Sequence, residues 1–157
     1  MKKRILSLLL AAVLLASLCG CFGSQSTGLL KAWHCPQPVA ARFYYEGENY
    51  QLTAEELDPA QIDALAETLD AMRYKTHFGH VDYFWAGRYG IELTLEDGSF
   101  WTYDGTCMKL RSASVLDEAD GESLHYDSYI EVTSCDFWDA MQAFFPIIAD
   151  LSVNDGW

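Results

Sequence analysis

Seven residues in the middle of the chain, Tyr89-Gly90-Ile91-Glu92-Leu93-Thr94-Leu95, alternate large apolar side chains with small or polar ones, and Glu96-Asp97-Gly98 follows at once. A period of two marks a strand with one buried face. An Asp-Gly pair bounded by such runs marks a hairpin, so the chain returns over Ser99 to Tyr103. The turn type then decides which aromatic residues face the core. A two-residue Asp-Gly turn sets Leu95 opposite Phe100 and sends Trp101 and Tyr103 to the far face. A three-residue turn ending in a left-handed Gly98 sets Leu95 opposite Ser99, and Trp101 and Tyr103 then join Leu93 and Ile91. A slip of one residue moves every side chain to the other face. The second register collects more apolar surface on one side and is the one expected.

Other elements build on this hairpin. Ala41 to Tyr45 and Tyr50 to Thr53 read as strands around a Glu46-Gly47-Glu48-Asn49 turn. Asp58-Pro59 with Gln61 is a helix start: a capping side chain, a proline in the first turn and a glutamine able to reach back. Ile62, Leu65, Leu69 and Met72 recur at spacings of three and four, with Asp63, Glu67 and Asp70 on the opposite side. Thr106 to Arg111 and Tyr126 to Thr133 add strands, with Met108, Leu110, Ile130 and Val132 inward, and residues 112–124 form an acidic loop between them. Ser134 caps a final helix through Asp136, whose apolar positions are Phe137, Met141, Phe144 and Phe145, until Pro146 interrupts or restarts it. The order β-β-α-β-β-β-β-α predicts an α+β fold, a small antiparallel sheet of about 4–6 strands with two helices packed on one face.

The first residues belong to a different physical regime. Met1-Lys2-Lys3-Arg4 is cationic, and only Ser7 and Ser17 interrupt the apolar run from Ile5 to Leu18. That run of 14 residues suits a secretory signal. It is shorter than the ~20 residues a permanent spanning helix needs. Leu18-Cys19-Gly20-Cys21 comes next and resembles the lipobox of bacterial lipoproteins: Leu18 three before the cysteine, the small Gly20 just before it, and Cys21 itself. Cys19 departs from the residue usual at the middle position. The resemblance covers residues 1–21. It implies cleavage between Gly20 and Cys21 and a diacylglycerol thioether on Cys21, with no other cofactor. Two or more acyl chains anchor a protein stably where one does not. The organisation expected is therefore a signal peptide over 1–20, a lipidated tether over 21–38, one α+β domain over 39–151 and a tail over 152–157. Within the tether, Leu29, Leu30 and Trp33 are apolar enough to dock on the domain.

The whole chain carries 10 basic and 23 acidic residues. Loss of residues 1–20 removes three of the basic ones and leaves 7 against 23, a formal charge of −16. Such a surface repels nucleic-acid phosphate and anionic lipid headgroups. It suits cationic peptides, Ca²⁺ or basic protein surfaces. Half of the chain is apolar and 14% aromatic, enough for one self-sufficient core. Three cysteines follow the anchor: Cys35, Cys107 and Cys135. An odd number in an exported chain leaves either one disulfide and a spare or three thiols, and Cys107 with Cys135 is the pair expected if one forms.

No motif specifies a reaction. His77-Phe78-Gly79-His80 with Asp82 is the one close histidine pair, and in a loop it offers His77 and His80 to a metal without a clear third ligand. Cys135 stands near a helix start, where a thiol pKa can fall, beside the opposing Asp136. An EF-type reading of Asp117 to Glu122 lacks its first oxygen ligand, because Leu116 occupies that position. A phosphate-binding glycine loop, a GxSxG elbow and an HExxH helix are all missing from the sequence. Aromatic residues beside carboxylates, above all Tyr83, Phe84 and Trp85, suit recognition of a sugar, peptide or protein. The sequence thus predicts a lipid-anchored, extracytoplasmic binding module without an enzymatic motif. It would be held to the outer face of the cytoplasmic membrane, or to an outer membrane where one exists. Its partners would be that membrane, through the lipid, and a protein, peptide or small molecule, but no nucleic acid. Two alternatives stand beside it: a metal-dependent or thiol-based activity using His77, His80 or Cys135, and a structural subunit of an envelope complex.

Overall fold

The computed structural model describes residues 27–46, 51–82, 89–105, 107–117 and 125–155, apart from the side chains of 78–82, 125–129 and 152–155. Gly20 and Cys21 lie outside the described residues, as do Tyr83, Phe84 and Trp85. The described chain is α+β. In order it runs α1 (Leu29–Ala32), β1 (Pro38–Glu46), β2 (Leu52–Glu56), a 3₁₀ turn (Pro59–Gln61) leading into α2 (Ile62–Ala71), β3 (Tyr74–Asp82), β4 (Tyr89–Leu95), β5 (Phe100–Tyr103) and β6 (Met108–Arg111). A second 3₁₀ turn (Val115–Asp117), β7 (His125–Val132), α3 (Phe137–Met141) and α4 (Ile147–Asp155) complete it.

Five strands form one antiparallel sheet in the order β2-β1-β4-β5-β6, while β3 and β7 pair with each other in a separate ribbon. The β4–β5 hairpin takes the register that gathers apolar surface. Ile91 lies opposite Tyr103 and Leu93 opposite Trp101. The Leu95 amide donates to the Ser99 carbonyl at 2.9 Å, and Gly98 closes the turn with φ +82°. An L side chain rarely adopts that backbone, so glycine is what the three-residue turn demands.

Register then lays matching rows across the sheet. On the inner face, Phe43, Ile91, Tyr103 and Met108 stand side by side from β1 to β6, next to a second row of Ala41, Leu93, Trp101 and Leu110. All but Leu110, on the edge strand, are buried. Residues Ile62, Leu65, Leu69 and Met72 of the α2 stripe join the same core, as do Phe137, Met141, Phe145 and Ile148. Burying a side chain of this size stabilises by about 1.5–3 kcal/mol, so these two rows and the helical stripes supply most of the driving force.

Several details differ from the sequence reading. Helix α2 is entered through the 3₁₀ turn, with the Asp58 carboxylate accepting from the Ala60 amide at 3.0 Å, while Gln61 makes no side-chain cap. Helix α3 is capped by Asp136, which accepts from the Asp139 amide at 3.1 Å. Ser134 instead accepts from the Arg73 amide at 3.0 Å and ties the end of β7 to the start of β3. Pro146 does restart the chain as α4, which reaches Asp155 within the segment expected to be a tail. His77 and His80 lie on β3 rather than in a loop, and a register shift between Phe78 and Val81 absorbs the Gly79-His80 step. The ribbon is fastened to the sheet by Tyr103, whose hydroxyl lies 3.0 Å from the Ile130 carbonyl and 2.9 Å from that of Gly105.

The segment 29–37 packs on the domain through its two leucines. Leu29 is 0% exposed and belongs to the core with Leu30. The Lys31 amide and ammonium both reach the Asp70 carboxylate, at 3.1 and 3.3 Å, at the end of α2. A tether of polar composition still carries two leucines, and the hydrophobic effect places them under the helix. Leu29→Ala is therefore expected to lower unfolding stability by about 2–5 kcal/mol, as for other fully buried leucines. Urea denaturation of the two forms measures it, and a change within error would return residues 29–37 to the tether.

Candidate functional site

The inner-face aromatic rows come to the surface at one end of the sheet. Tyr45 and Tyr89 form the last pair of the β1–β4 ladder, and both are half-buried. Tyr45 stacks on Phe43 with ring centroids 5.7 Å apart and planes 21° from parallel. From α3, the half-buried Trp138 approaches Tyr89 to 4.8 Å and meets Phe43 edge-on at 6.1 Å. Phe137 stands edge-on to both Tyr103 and Trp138, at 4.6 and 4.8 Å. Offset and edge-to-face pairs of this kind add about 0.5–1.5 kcal/mol each beyond their buried area. The cluster is thus rigid, and its rim presents rings at little entropic cost.

A carboxylate adjoins this rim. Asp104 ends β5 and accepts from the Cys107 amide at 2.6 Å, holding a turn whose Gly105 has φ +88°. Gly105 packs on the Trp138 indole so closely that a Cβ there would lie 2.9 Å from the ring nitrogen. Burial, and then the charge of Asp104, push the Tyr89 phenol up to about 12. Tyr103, buried between two carbonyls, is raised further, again mainly by burial. The arrangement can stack on a planar or sugar-like ligand and attract a cation to the ring faces.

The opposite face of the sheet is polar. Glu56, Arg42, Glu92, Thr102 and Lys109 lie in one row across all five strands. Glu92 is 1% exposed, yet all its polar needs are met. Its Oε1 accepts from Arg42 Nε at 2.8 Å and from Ser114 Oγ at 3.0 Å, and its Oε2 from the Val115 amide at 2.7 Å. Arg42 also reaches Glu56 at 3.5 Å and the Ser114 hydroxyl. The sequence reading did not single out Arg42 or Glu92. The available signal was a glutamate in the centre of an otherwise apolar alternation, with scarce arginine in the neighbouring strand.

The residues singled out from sequence do not converge. His77 pairs with Glu131, Nε2 to Oε2, at 2.7 Å. The side chain of His80 is outside the described set. Among the described residues, no group of three or more His, Cys, Asp or Glu is placed to hold one metal ion. Cys107 is buried, Cys35 half-buried and Cys135 exposed, and no disulfide joins them in this structure. Cys135 precedes the Asp136 cap and so stands outside the first turn of α3. Burial, and after it Asp70 and Asp97, push the Cys35 thiol up to about 11, which keeps it protonated at neutral pH. An open groove of about 510 Å³ between residues 31–37 and α2 is bridged by Lys31 with Asp70 and by Gln37 with Asp63. No helix among the described residues is long and apolar enough to cross a membrane.

Tyr89 makes the aromatic end testable by pH. Its folded pKa lies above the ordinary tyrosine value, so the unfolded chain releases this proton first. The stability that follows is complete below about pH 10 and is lost as pH rises toward about 12. Tyr89→Phe should flatten part of that fall and remove one late step from an ultraviolet tyrosinate titration. Loss of a step near the ordinary tyrosine value, rather than a late one, would refute the burial assigned to Tyr89. Comparison of the chain with protein-family models, with curated proteins and with solved structures found no match.

Proposed function

We propose that this protein is a lipid-anchored extracytoplasmic lipoprotein whose domain is a non-enzymatic binding module. The anchor rests on the sequence: a cationic start, a 14-residue apolar run and Leu18-Cys19-Gly20-Cys21. In this reading the lipid on Cys21 holds the protein at the membrane. Among the described residues the first in the core is Leu29, which in this reading leaves a short linker between lipid and domain.

The observation that carries the binding role is the aromatic rim of Tyr45, Tyr89 and Trp138 beside Asp104. Rigid rings lose little entropy on docking, which is why they dominate recognition surfaces. The ligand class that fits is a protein, peptide or small molecule offering an apolar or planar face, with positive charge favoured by the acidity of the chain. Nucleic acid is disfavoured for the same reason.

Two experiments test the two halves. Cells making Cys21→Ala should fail to incorporate labelled fatty acid into the protein and should release or mis-sort it; undiminished labelling would exclude Cys21 as the attachment point. For the surface, a photoreactive residue at Tyr45 in the otherwise intact protein should crosslink a partner in whole cells. The same group at Val39 should not, being 51% exposed and on the same strand but about 20 Å away at 3.3 Å per residue. Equal products from both positions would remove the aromatic end as the binding surface.

A further inference from the structure

We infer that residues 112–117 form a strap, latched shut on the outer face of the five-stranded sheet by the carboxylate of Glu92, that opens as a unit to bare the charged pair beneath it. Among the described residues, the hydrogen bonds seen between strap and sheet end on Glu92 or Arg42. The Ser114 hydroxyl donates to Glu92 Oε1 at 3.0 Å, the Val115 amide donates to Glu92 Oε2 at 2.7 Å, and Arg42 Nη2 donates to Ser114 Oγ. Ser114 Oγ also accepts from the Leu116 amide at 3.0 Å, which shapes the 3₁₀ turn over the carboxylate. Ser114 is 2% exposed, whereas Val115 and Leu116 are only half-buried and take no part in the hydrophobic core. The closure is therefore polar and runs through the Glu92–Arg42 pair.

Polar closure of this kind has two accessible states. Shut, the strap removes the Arg42–Glu92 pair from water, and the desolvation of both charges offsets much of their attraction. Open, both charges are rehydrated while remaining cross-strand neighbours, since Arg42 and Glu92 are paired in the β1–β4 register independently of the strap. Opening thus forfeits the hydrogen bonds to Ser114 and Val115 but regains hydration. The hydrophobic core, on the other face of the sheet, is untouched. Regions held by few apolar contacts are the ones that open locally in a folded protein. What opening uncovers is Glu92 with its partner Arg42, at the centre of a row whose outer members Glu56 and Lys109 already reach solvent.

Amide hydrogen exchange on the full-length protein tests the latch. In Glu92→Gln the side-chain amide can still accept from Arg42 through its oxygen, but its NH₂ cannot accept from Val115. Exchange at Val115 and Leu116 should then accelerate about ten- to a hundredfold, the loss of one charge-assisted hydrogen bond, while the β4 and β5 amides of Leu93 and Thr102 keep their rates. Unchanged rates at Val115 and Leu116 would overturn the strap. So would an equal acceleration at Leu93 and Thr102, because Glu92 would then support the sheet and not the strap. Should Glu92→Gln fail to fold, Ser114→Ala keeps the ion pair and removes the strap's own hydroxyl. It should accelerate Val115 and Leu116 about tenfold with β4 and β5 unaffected, and no change there would equally overturn the proposal.

Discussion

The left-handed backbone at Gly98 sets the parity of the whole sheet. With φ +82° it closes a three-residue turn, and that turn puts Leu93 opposite Trp101 and Ile91 opposite Tyr103. Had the turn been one residue shorter, Trp101 and Tyr103 would share a face with Glu92. Each strand in turn takes its sidedness from its neighbour, so β1 presents Phe43 inward with Ile91, and β6 presents Met108 inward with Tyr103. The aromatic core, the polar outer row and the exposed aromatic rim are all consequences of that one parity.

The two faces stabilise the protein by different physics. The inner face works by removing large apolar side chains from water, and it tolerates unmet polar atoms: Trp101 is fully buried and its indole N–H has no acceptor among the described residues. Leaving such a donor unsatisfied costs about 1–3 kcal/mol, less than the burial of an indole with its ring contacts returns. The outer face is the reverse. There a buried carboxylate is kept only because Arg42, Ser114 and Val115 satisfy it, and removing one member would leave a charge stranded. Tyr103 joins these regimes, with its ring in the aromatic core and its hydroxyl against the ribbon carbonyl of Ile130.

The proposed binding surface lies where the aromatic core stops being covered, at the end that brings the half-exposed rings of Tyr45, Tyr89 and Trp138 together. A lipid anchor near the N-terminus and a docked segment from Leu29 onward would hold that rim at a short distance from the bilayer. The acidity of the chain would keep the domain off anionic headgroups and favour cationic partners.

Local chemistry was legible wherever it was self-contained. Periodicity alone marks the α2 stripe of Ile62, Leu65, Leu69 and Met72, and the Gly98 turn with its alternating strand specifies the register. The α+β class follows from the order of such elements. The N-terminal signal and the lipobox resemblance at Cys21 are expectations of the same local kind. What tertiary structure alone decided involves partners far apart in the chain. The stretch Tyr74 to Asp82 carries charges and a glycine that blur its alternation, and it becomes a strand only because β7 pairs with it. Leu29 and Leu30 sit in a polar, proline-bearing segment that reads as a linker until α2 offers them cover. Arg42, Glu92 and Ser114 are separated by up to 72 residues, and no spacing rule connects them. Sequence determines what each segment prefers; long-range contact determines which buried charge meets which donor, because desolvation is settled only when the sheet has formed.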